Sequence, residues 1–253
     1  MVQFKTNPAI GILGYGTIGQ AVRKLYRESC FGEPAVKNRK TKRNDFDYNV
    51  EMDVLNVCLL YNERFIDYVI REIEATRARL TIIHSAVAPL TTKAIRQSVR
   101  RPVVHSPFRG SHRYPRKSLL SFVKYIGAEN LTDAKMAKDH MKFLGYKRRP
   151  IVYMPAVTTE LNKLISTSYF GVCIAFTNYV SKLCDIYRIP FSSFENFNKT
   201  YNWGFGRLGL RKFSRPTLVP SNGEIGGNNV VPNAKILRRS LKSKLLDSIL
   251  ETK

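Results

Sequence analysis

The sequence has few cysteines, few acidic residues and no long hydrophobic run, and each shortage excludes a class of protein. It contains four cysteines in 253 residues and no Cys-x-x-Cys pair, so neither a disulfide framework nor a zinc site is expected. No apolar run approaches the roughly 20 residues that a membrane helix needs, and no secretory signal is visible at the N-terminus. These absences favour a cytoplasmic globular protein that holds no metal and does not enter a membrane.

The shortage of acidic residues leaves a large positive charge. Lys and Arg number 42 against 19 Asp and Glu, a formal net charge of +23. Such a charge favours an anionic partner, for example a phosphorylated substrate, a cofactor or nucleic acid. No nucleic-acid-binding motif accompanies the basic runs, so nucleic acid is expected only as a non-specific partner. The alternative is a general bias towards Lys and Arg on solvated faces.

A glycine motif follows the first apolar run of the chain. Residues 9–19 read Ala-Ile-Gly-Ile-Leu-Gly-Tyr-Gly-Thr-Ile-Gly, and a helical pattern begins at once. In a strand–GxGxxG–helix unit the glycines allow a tight turn, the approach of a diphosphate, and close packing of helix on strand. The residues expected to line the cofactor are Gly14, Tyr15, Gly16, Thr17, Ile18 and Gly19. The alternative is a glycine-rich turn in another α/β protein.

The hydrophobic pattern divides the chain into two parts. Strand and helix signals alternate up to residue 153, which predicts a doubly wound, mainly parallel sheet with helices on both faces. From residue 156 to 187 apolar residues recur at helical spacing without a proline, which predicts one long helix. We therefore expect an α/β Rossmann-type domain over residues 1–153 and a mainly helical domain over residues 154–253.

Individual elements follow from the same pattern. The predicted strands are 9–13, 35–37, 54–60, 80–83, 103–104, 122–126 and 151–153. The predicted helices are 17–29, 63–76, 91–99, 135–144, 156–187, 194–201 and 234–250. Residues 202–233 are rich in Gly, Pro, Asn and Arg and are expected to have little regular structure.

The segment after the second predicted strand bears on cofactor choice. It reads Lys37-Asn-Arg-Lys-Thr-Lys-Arg43, with no acid before Asp45. NAD-binding domains usually place an acid there to hold the ribose diol. Asn38 and Arg39, with Lys40 or Arg43, suit a 2′-phosphate instead, so NADP is favoured over NAD. The alternative is one more basic run in a basic protein.

Four further segments line up, in order, with motifs of one family. They are His84-Ser-Ala-Val-Ala-Pro-Leu-Thr-Thr92, Val104-His-Ser-Pro-Phe-Arg109, Thr159-Glu-Leu-Asn-Lys-Leu-Ile-Ser-Thr167 and Gly223-Glu-Ile-Gly-Gly-Asn-Asn-Val-Val231. With the glycine motif, they make the chain resemble the UDP-glucose/GDP-mannose dehydrogenases, which are related to the 6-phosphogluconate and β-hydroxyacid dehydrogenases. The resemblance implies NAD(P)-dependent hydride transfer on a hydroxyl or carbonyl group of an anionic substrate, such as a sugar nucleotide or sugar phosphate. It also implies a homodimer formed through the long helix, although the apolar stripe of that helix could equally be internal core.

The resemblance assigns roles to particular residues. Lys163 matches the helix lysine that handles the proton, and Thr167 and Asn229 stand at two further catalytic positions. Ser85 is expected near the cofactor. The residues expected to contact substrate are Arg109, Glu160 and Asn228. The alternatives are a solvated Lys163 paired with Glu160, an ordinary turn at Ser85, an exposed basic loop at Arg109 and a structural loop at Asn228.

The departures from the family pattern limit the expected chemistry. Asn229 stands where the family has a cysteine, and an amide cannot form the thiohemiacetal needed for a second oxidation. Thr167 replaces an asparagine, Ala86 replaces a threonine, and the family's C-terminal domain has no counterpart. We therefore expect a single two-electron step. The alternative is an inert relative that binds a dinucleotide as a sensor or interaction protein.

Aromatic residues precede the glycine-rich loop. Tyr201, Trp203 and Phe205 recur at every second position. They either pack under that loop or stack on a ring, and packing is expected because it is the commoner use of aromatic side chains.

Overall fold

The protein is described by a computed structural model, which covers residues 8–29, 32–146, 150–221, 225 and 229–251. The chain divides into two compact units, of which one ends at Lys163 and the other begins at Leu164. Among the described residues, no helix combines the length and hydropathy needed to cross a membrane.

The first unit is a sheet with helices on both faces. Its strands are β1 (Ile10–Leu13), β2 (Ala35–Asn38), β3 (Arg43–Asn44), β4 (Val54–Val57), β5 (Leu80–Ile83), β6 (Val103–His105), β7 (Lys124–Ala128) and β8 (Ile151–Pro155). Its helices are α1 (Thr17–Glu28), α2 (Phe65–Thr76), α3 (Thr91–Val99), α4 (Pro115–Ser121), α5 (Leu131–Phe143) and the start of α6 (Ala156–Tyr187). The α/β fold expected from the sequence is confirmed.

The strand order places the glycine motif at the centre of the sheet. The order is β3-β2-β1-β4-β5-β6-β7-β8, so β1 lies between β2 and β4 and pairs with both in parallel. The chain winds outwards in opposite directions from β1. In open α/β sheets the carboxyl ends of the strands at such a switch point form the ligand crevice. Only the β2–β3 and β6–β7 pairs are antiparallel among the described strands.

Two apolar layers bury the sheet. Ile12, Tyr26 and Ile126 belong to one layer, and Leu55 and Ile95 belong to the other. Burial on both faces explains the unbroken apolar runs at β4 and β5, because a strand covered on both sides has no solvent-facing positions.

Several element boundaries differ from the prediction. The apolar run that begins at Val54 leaves the sheet after Val57, because the backbone of Cys58 turns towards the glycine motif. Helix α5 begins at Leu131, earlier than predicted, because the side chain of Asn130 caps it by accepting a bond of 2.8 Å from Asp133 N. No sequence pattern predicted β3, which is two residues long within a basic run. It also missed α4, which begins at Pro115 in a basic loop.

The long helix α6 spans Ala156–Tyr187 as predicted, but its first turns belong to the first unit. Thr159 Oγ1 lies 2.8 Å from His105 Nδ1, and Glu160 accepts bonds from Leu90 and Thr92. The first unit therefore ends at Lys163, later than the boundary at residue 153 expected from the sequence.

The second unit is helical. After α6 come α7 (Phe191–Arg207), a 3-10 turn (Arg211–Phe213), α8 (Val230–Ser240) and α9 (Lys244–Leu250). A small core that includes Val230, Ala234 and Ile249 joins α8 and α9. The absence of a side chain at Gly171 lets α6 approach this core, since a Cβ there would lie 2.5 Å from Val230 Cγ1.

Two predictions for the second unit need correction. The single terminal helix predicted over 234–250 is broken between Ser240 and Lys244, where Ser243 Oγ caps α9 by accepting from Leu245 N at 3.2 Å. Helix α7 begins directly after Pro190, before the predicted start at residue 194, and extends to Arg207, beyond the predicted end at residue 201. The segment predicted to be irregular therefore includes the end of α7, a 3-10 turn and the start of α8.

Candidate functional site

The three glycines of the motif have different surroundings. Gly14 has a φ of +96°, and a Cβ there would lie 2.6 Å from the carbonyl oxygen of Cys58. A Cβ on Gly19 would overlap the carbonyl oxygen of Gly14. A Cβ on Gly16 would meet no heavy atom within 4 Å. The protein itself therefore requires glycine at positions 14 and 19, whereas Gly16 borders open space in front of the turn.

The N-terminus of α1 points into this space. Gly16 is its N-cap, no described side chain caps it, and its first turn contains no acid. The first backbone N–H groups of a helix have no partner within the helix, and together with the helix dipole they favour an anion. Thr17 is exposed and Tyr15 and Ile18 are half-buried. These residues fit the diphosphate of a nicotinamide dinucleotide, which would lie across the turn.

Cations follow β2 where an NAD-binding domain usually has an acid. The Arg39 guanidinium lies 5.6 Å from the centroid of the Tyr68 ring, and Arg39 is exposed. The amide of Asn38 donates to Thr41 Oγ1 at 3.1 Å. The ammonium of Lys37 is already engaged within the protein, because it donates to Glu72 Oε1 at 2.6 Å. Two carboxylates bond to β2 among the described contacts, and both are paired: Glu72 with Lys37, and Asp45, which accepts from Val36 N at 3.3 Å, with Arg43.

Two buried histidines support the loops at the carboxyl end of the sheet. His105 Nε2 lies 3.0 Å from the Ser85 carbonyl oxygen, which positions the loop after β5. His84 Nε2 lies 3.0 Å from Asn56 Oδ1. Burial lowers the pKa of His105 to about 3 and that of His84 well below its usual range. Both rings are therefore neutral near pH 7 and act as hydrogen-bonding supports for these loops, including that of Ser85.

Lys163 lies in a region of positive charge. Burial, and then the charge of Arg109, lower the pKa of Lys163 to about 8. Lys163 in turn contributes to the lowered pKa values of His105 and His112. An amine with a pKa near 8 can take up or release a proton at physiological pH. This environment differs from that of the solvated lysine considered as the alternative.

Arg109 is placed by aromatic rings. Its guanidinium lies 4.9 Å from the centroid of the Tyr125 ring and 5.8 Å from that of Phe122. It donates to the Val123 carbonyl at 3.4 Å, and the residue is exposed. The structure thus brings Arg109 near Lys163 while leaving it open to an anionic ligand.

A second buried amine was missed from the sequence. Lys124 begins β7, and its Nζ donates to the Ser106 carbonyl at 3.3 Å. Burial lowers the pKa of Lys124 to about 8. Because β7 runs antiparallel to β6, its first residue lies at the edge where β6 ends. The predicted strand over 122–126 already contained Lys124, but its direction was not predictable from the local pattern.

Glu160 has a role that the sequence did not suggest. Its carboxylate accepts bonds from Leu90 N at 2.7 Å, Thr92 N at 2.8 Å and Thr92 Oγ1 at 2.6 Å. These donors lie at the first turn of α3, so both oxygens of this buried carboxylate cap that helix. The placement favours a structural role for Glu160 over the expected contact with substrate.

The two other expected catalytic residues belong to the second unit. Thr167 is half-buried on α6, one turn before Gly171. Asn229 directly precedes Val230, the residue that packs on Gly171. Asn229 therefore adjoins the contact of α8 with α6, which lies four residues along α6 from Thr167. Asn228 lies outside the described residues, and among those described no group of His, Cys, Asp or Glu is arranged to hold a metal ion.

Comparison with known proteins shows which proteins resemble this chain. A UDP-N-acetyl-D-mannosamine dehydrogenase of Methanococcus maripaludis strain C7 is 31% identical over 108 residues, which are 42% of this chain and 25% of that protein. Part of the chain is thus similar in sequence to a nucleotide-sugar dehydrogenase. No family model matches the sequence. The chain matches only about a quarter of this curated relative's length, so the relative's whole activity does not transfer with the match.

Solved dehydrogenase structures share the fold of this chain. A UDP-D-ManNAc dehydrogenase from Pyrococcus horikoshii superimposes with a TM-score of 0.73 and 17% identity, over 94% of this chain and 66% of that one. A 3-hydroxyisobutyrate dehydrogenase from Mycobacterium tuberculosis gives a TM-score of 0.66 and 12% identity, over 96% of this chain and 91% of that one. At these identities the likeness concerns the fold alone.

Proposed function

We propose that the chain is an NAD(P)-dependent oxidoreductase that transfers a hydride to or from a CH–OH carbon of an anionic substrate. The observation that carries this proposal is the turn at the end of the central strand β1, where Gly16 and the uncapped start of α1 border open space. The relation to nucleotide-sugar dehydrogenases supports a sugar nucleotide or sugar phosphate as the substrate class, and favours an enzyme over an inert binding protein. Three described cysteines are free thiols, which suits a reducing cytoplasm.

The proposed mechanism uses Lys163 as acid and base. A nicotinamide cofactor held at the turn after β1 would supply the hydride chemistry. The neutral amine of Lys163 takes the hydroxyl proton during oxidation, and the ammonium returns it during reduction. Arg109 binds the anionic group of the substrate, and Ser85 lines the cofactor crevice. Thr167 and Asn229 stand at the two further catalytic positions that the family resemblance indicates, and an amide at position 229 limits the reaction to one two-electron step.

We propose NADP(H) as the preferred cofactor. The exposed guanidinium of Arg39 follows β2, beside Asn38, and can pair with a 2′-phosphate. Replacing Arg39 with Gln is expected to weaken NADPH binding by at least about tenfold and to leave NADH binding nearly unchanged. An equal effect on both cofactors would contradict this preference.

The test of the proposed function is a search for turnover. Purified protein with NADP or NAD is offered a panel of sugar nucleotides and sugar phosphates, and reduced nicotinamide is followed by absorbance. Turnover that is lost in Lys163→Met and kept in Lys138→Gln, an exposed lysine on α5, supports the proposal. Tight cofactor binding with no turnover across the panel would instead indicate the inert alternative.

We also propose a homodimer formed through α6. Several large apolar side chains of this helix are exposed, and among them Tyr169, Phe176, Tyr179 and Ile186 recur at helical spacing along one side, which is a surface of the kind that partners cover. Sedimentation velocity is expected to show a dimer, and Phe176→Asp is expected to shift it towards monomer. A wild-type protein that remains monomeric at all concentrations would refute the dimer.

A further inference from the structure

Helix α7 carries a row of aromatic rings at its surface. Phe197, Tyr201 and Phe205 recur every four residues, and Phe213 from the following 3-10 turn extends the row. Successive ring centroids are 5.2, 5.9 and 5.4 Å apart. Phe197 is 62% exposed, Phe213 51% and Tyr201 40%. We call these four residues the aromatic row. It lies within the second unit and is not used by the proposed dehydrogenase mechanism.

An arginine is fixed against the row. The Arg215 guanidinium lies 3.9 Å from the centroid of the Tyr201 ring and 5.7 Å from that of Phe205. Its backbone is held by Asn202, whose Oδ1 accepts from Arg215 N at 2.7 Å and whose Nδ2 donates to the Arg215 carbonyl at 2.8 Å. These two hydrogen bonds hold the backbone of Arg215 in place, which favours the stacking of its guanidinium on the Tyr201 ring.

Further cations surround the row. The Arg207 guanidinium lies 5.1 Å from the ring of Trp203, which is 66% exposed, and Lys212 Nζ lies 5.1 Å from the ring of Phe213. The cations between residues 191 and 215 are Lys199, Arg207, Arg211, Lys212 and Arg215, and the acid is Glu195. Glu195 is paired with Lys199 at 2.7 Å. Tyr201 and Trp203, expected to pack inside, are thus exposed among positive charges.

We propose that this aromatic and basic surface of α7 binds single-stranded nucleic acid. Exposed rings stack on unpaired bases of any sequence, and Lys and Arg beside them neutralise the phosphates. A duplex keeps its bases stacked internally and would not use the rings. A second copy of the chain fits poorly, because a two-fold contact would bring these cations against themselves. A lipid surface fits less well, since the guanidinium groups already cover ring faces that would have to enter the acyl region.

The single tryptophan of the chain offers a direct probe. Trp203 fluorescence is followed while an oligothymidylate long enough to span the surface is added, at several salt concentrations, with and without NADPH. We expect quenching at low salt, and a fall in log affinity with log salt of roughly 0.7 per phosphate contact. We expect no effect of NADPH, so the result is independent of the proposed dehydrogenase function.

Matched variants localise the binding. Arg215→Gln and Tyr201→Leu are each expected to weaken affinity by about tenfold, since stacking on a ring or a guanidinium contributes substantially per base. Tyr201→Phe should retain binding. Lys138→Gln, which removes a charge from the first unit, should change affinity less than threefold, and thermal melts check that each variant is folded.

Four results would overturn the proposal. They are no binding at low salt, equal weakening by Arg215→Gln and Lys138→Gln, quenching of Trp203 by self-association alone, and equal quenching by uridine monophosphate or by phosphatidylserine vesicles. The second result would indicate diffuse charge, and the last would indicate a nucleotide or a lipid surface as the ligand.

Discussion

Lys163 decides whether the candidate site can move protons. With a pKa lowered to about 8, its amine is mostly protonated near pH 7 and neutral above pH about 8. If the neutral amine is the base, kcat/KM for oxidation should rise with pH and level off above about 8, and that for reduction should fall over the same interval. Lys163→Met should lower kcat/KM at least about 100-fold. A flat pH profile, or a loss within about threefold, would exclude the acid–base role.

The burial of Lys124 leads to a separate prediction about stability. Its folded-state pKa is lowered from 10.5 to about 8, so below pH about 8 the folded state must hold a buried ammonium that is better solvated when unfolded. Lys124→Met should therefore raise the free energy of unfolding by about 1–3 kcal/mol near pH 7. The gain should fade as pH rises from about 8 to 10.5, where both states of the wild type become neutral. Urea unfolding at the two ends of this range measures it, and a pH-independent difference would contradict the burial argument.

At the residue scale, the sequence predicted the features that depend on residues close together in the chain. Gly14, Gly16 and Gly19 form one continuous motif, and their separate roles follow from the turn they make. Lys124 and the partners of Glu160 were out of reach, because both depend on contacts between segments far apart in the chain. The role of Lys163 came from the family resemblance and that of Arg109 from its place among polar and cationic residues after a predicted strand. The structure adds that the charge of Arg109 helps to lower the pKa of Lys163.

At the scale of elements, the contact between α6 and α3 yields a prediction. Glu160→Ala leaves two backbone N–H groups and the Thr92 hydroxyl without their acceptor, and should cost about 2–4 kcal/mol of stability. Glu160→Gln keeps one acceptor oxygen and should cost about half as much. Thermal or urea unfolding measures both variants. If Glu160 instead binds substrate, Glu160→Gln would raise KM and leave stability unchanged, and that result would restore the role expected from the sequence.

The helices and strands with the strongest hydrophobic periodicity were predicted most accurately. The long helix α6 and the buried strands β4 and β5 have strong patterns, so their positions were found closely. The break between α8 and α9 was missed because the leucine spacing continues through it, and only the cap at Ser243 marks the interruption. The compact first unit extends to Lys163, because Thr159 bonds to β6 and Glu160 bonds to the start of α3. The periodicity of α6 gives no sign of these contacts.

At the scale of the whole molecule, the fold locates the glycine motif, whereas the net charge indicates only that the partners are anionic. The fold brings the glycine motif to the switch point of the sheet, and this could be inferred from strand–helix alternation together with the motif. The net charge of +23 indicated anionic partners without locating them. Part of this charge lies in the first unit at Arg39, Arg109 and Lys163, and part lies on α7. The nucleic acid proposed for α7 is therefore expected to bind independently of the cofactor and the substrate.

The central claim is that the turn after β1 holds the diphosphate of a nicotinamide cofactor. Gly16 tests it directly, because its φ of −78° is ordinary and a side chain there would meet only open space. Titration calorimetry of NADPH and NADH into wild type and Gly16→Val is the decisive measurement, with thermal melts as the folding control. We predict that the wild type binds at least one of the two, and that Gly16→Val melts within a few degrees of it but binds at least about tenfold more weakly. Binding of neither cofactor by the wild type, or equal binding by the variant, would contradict the account.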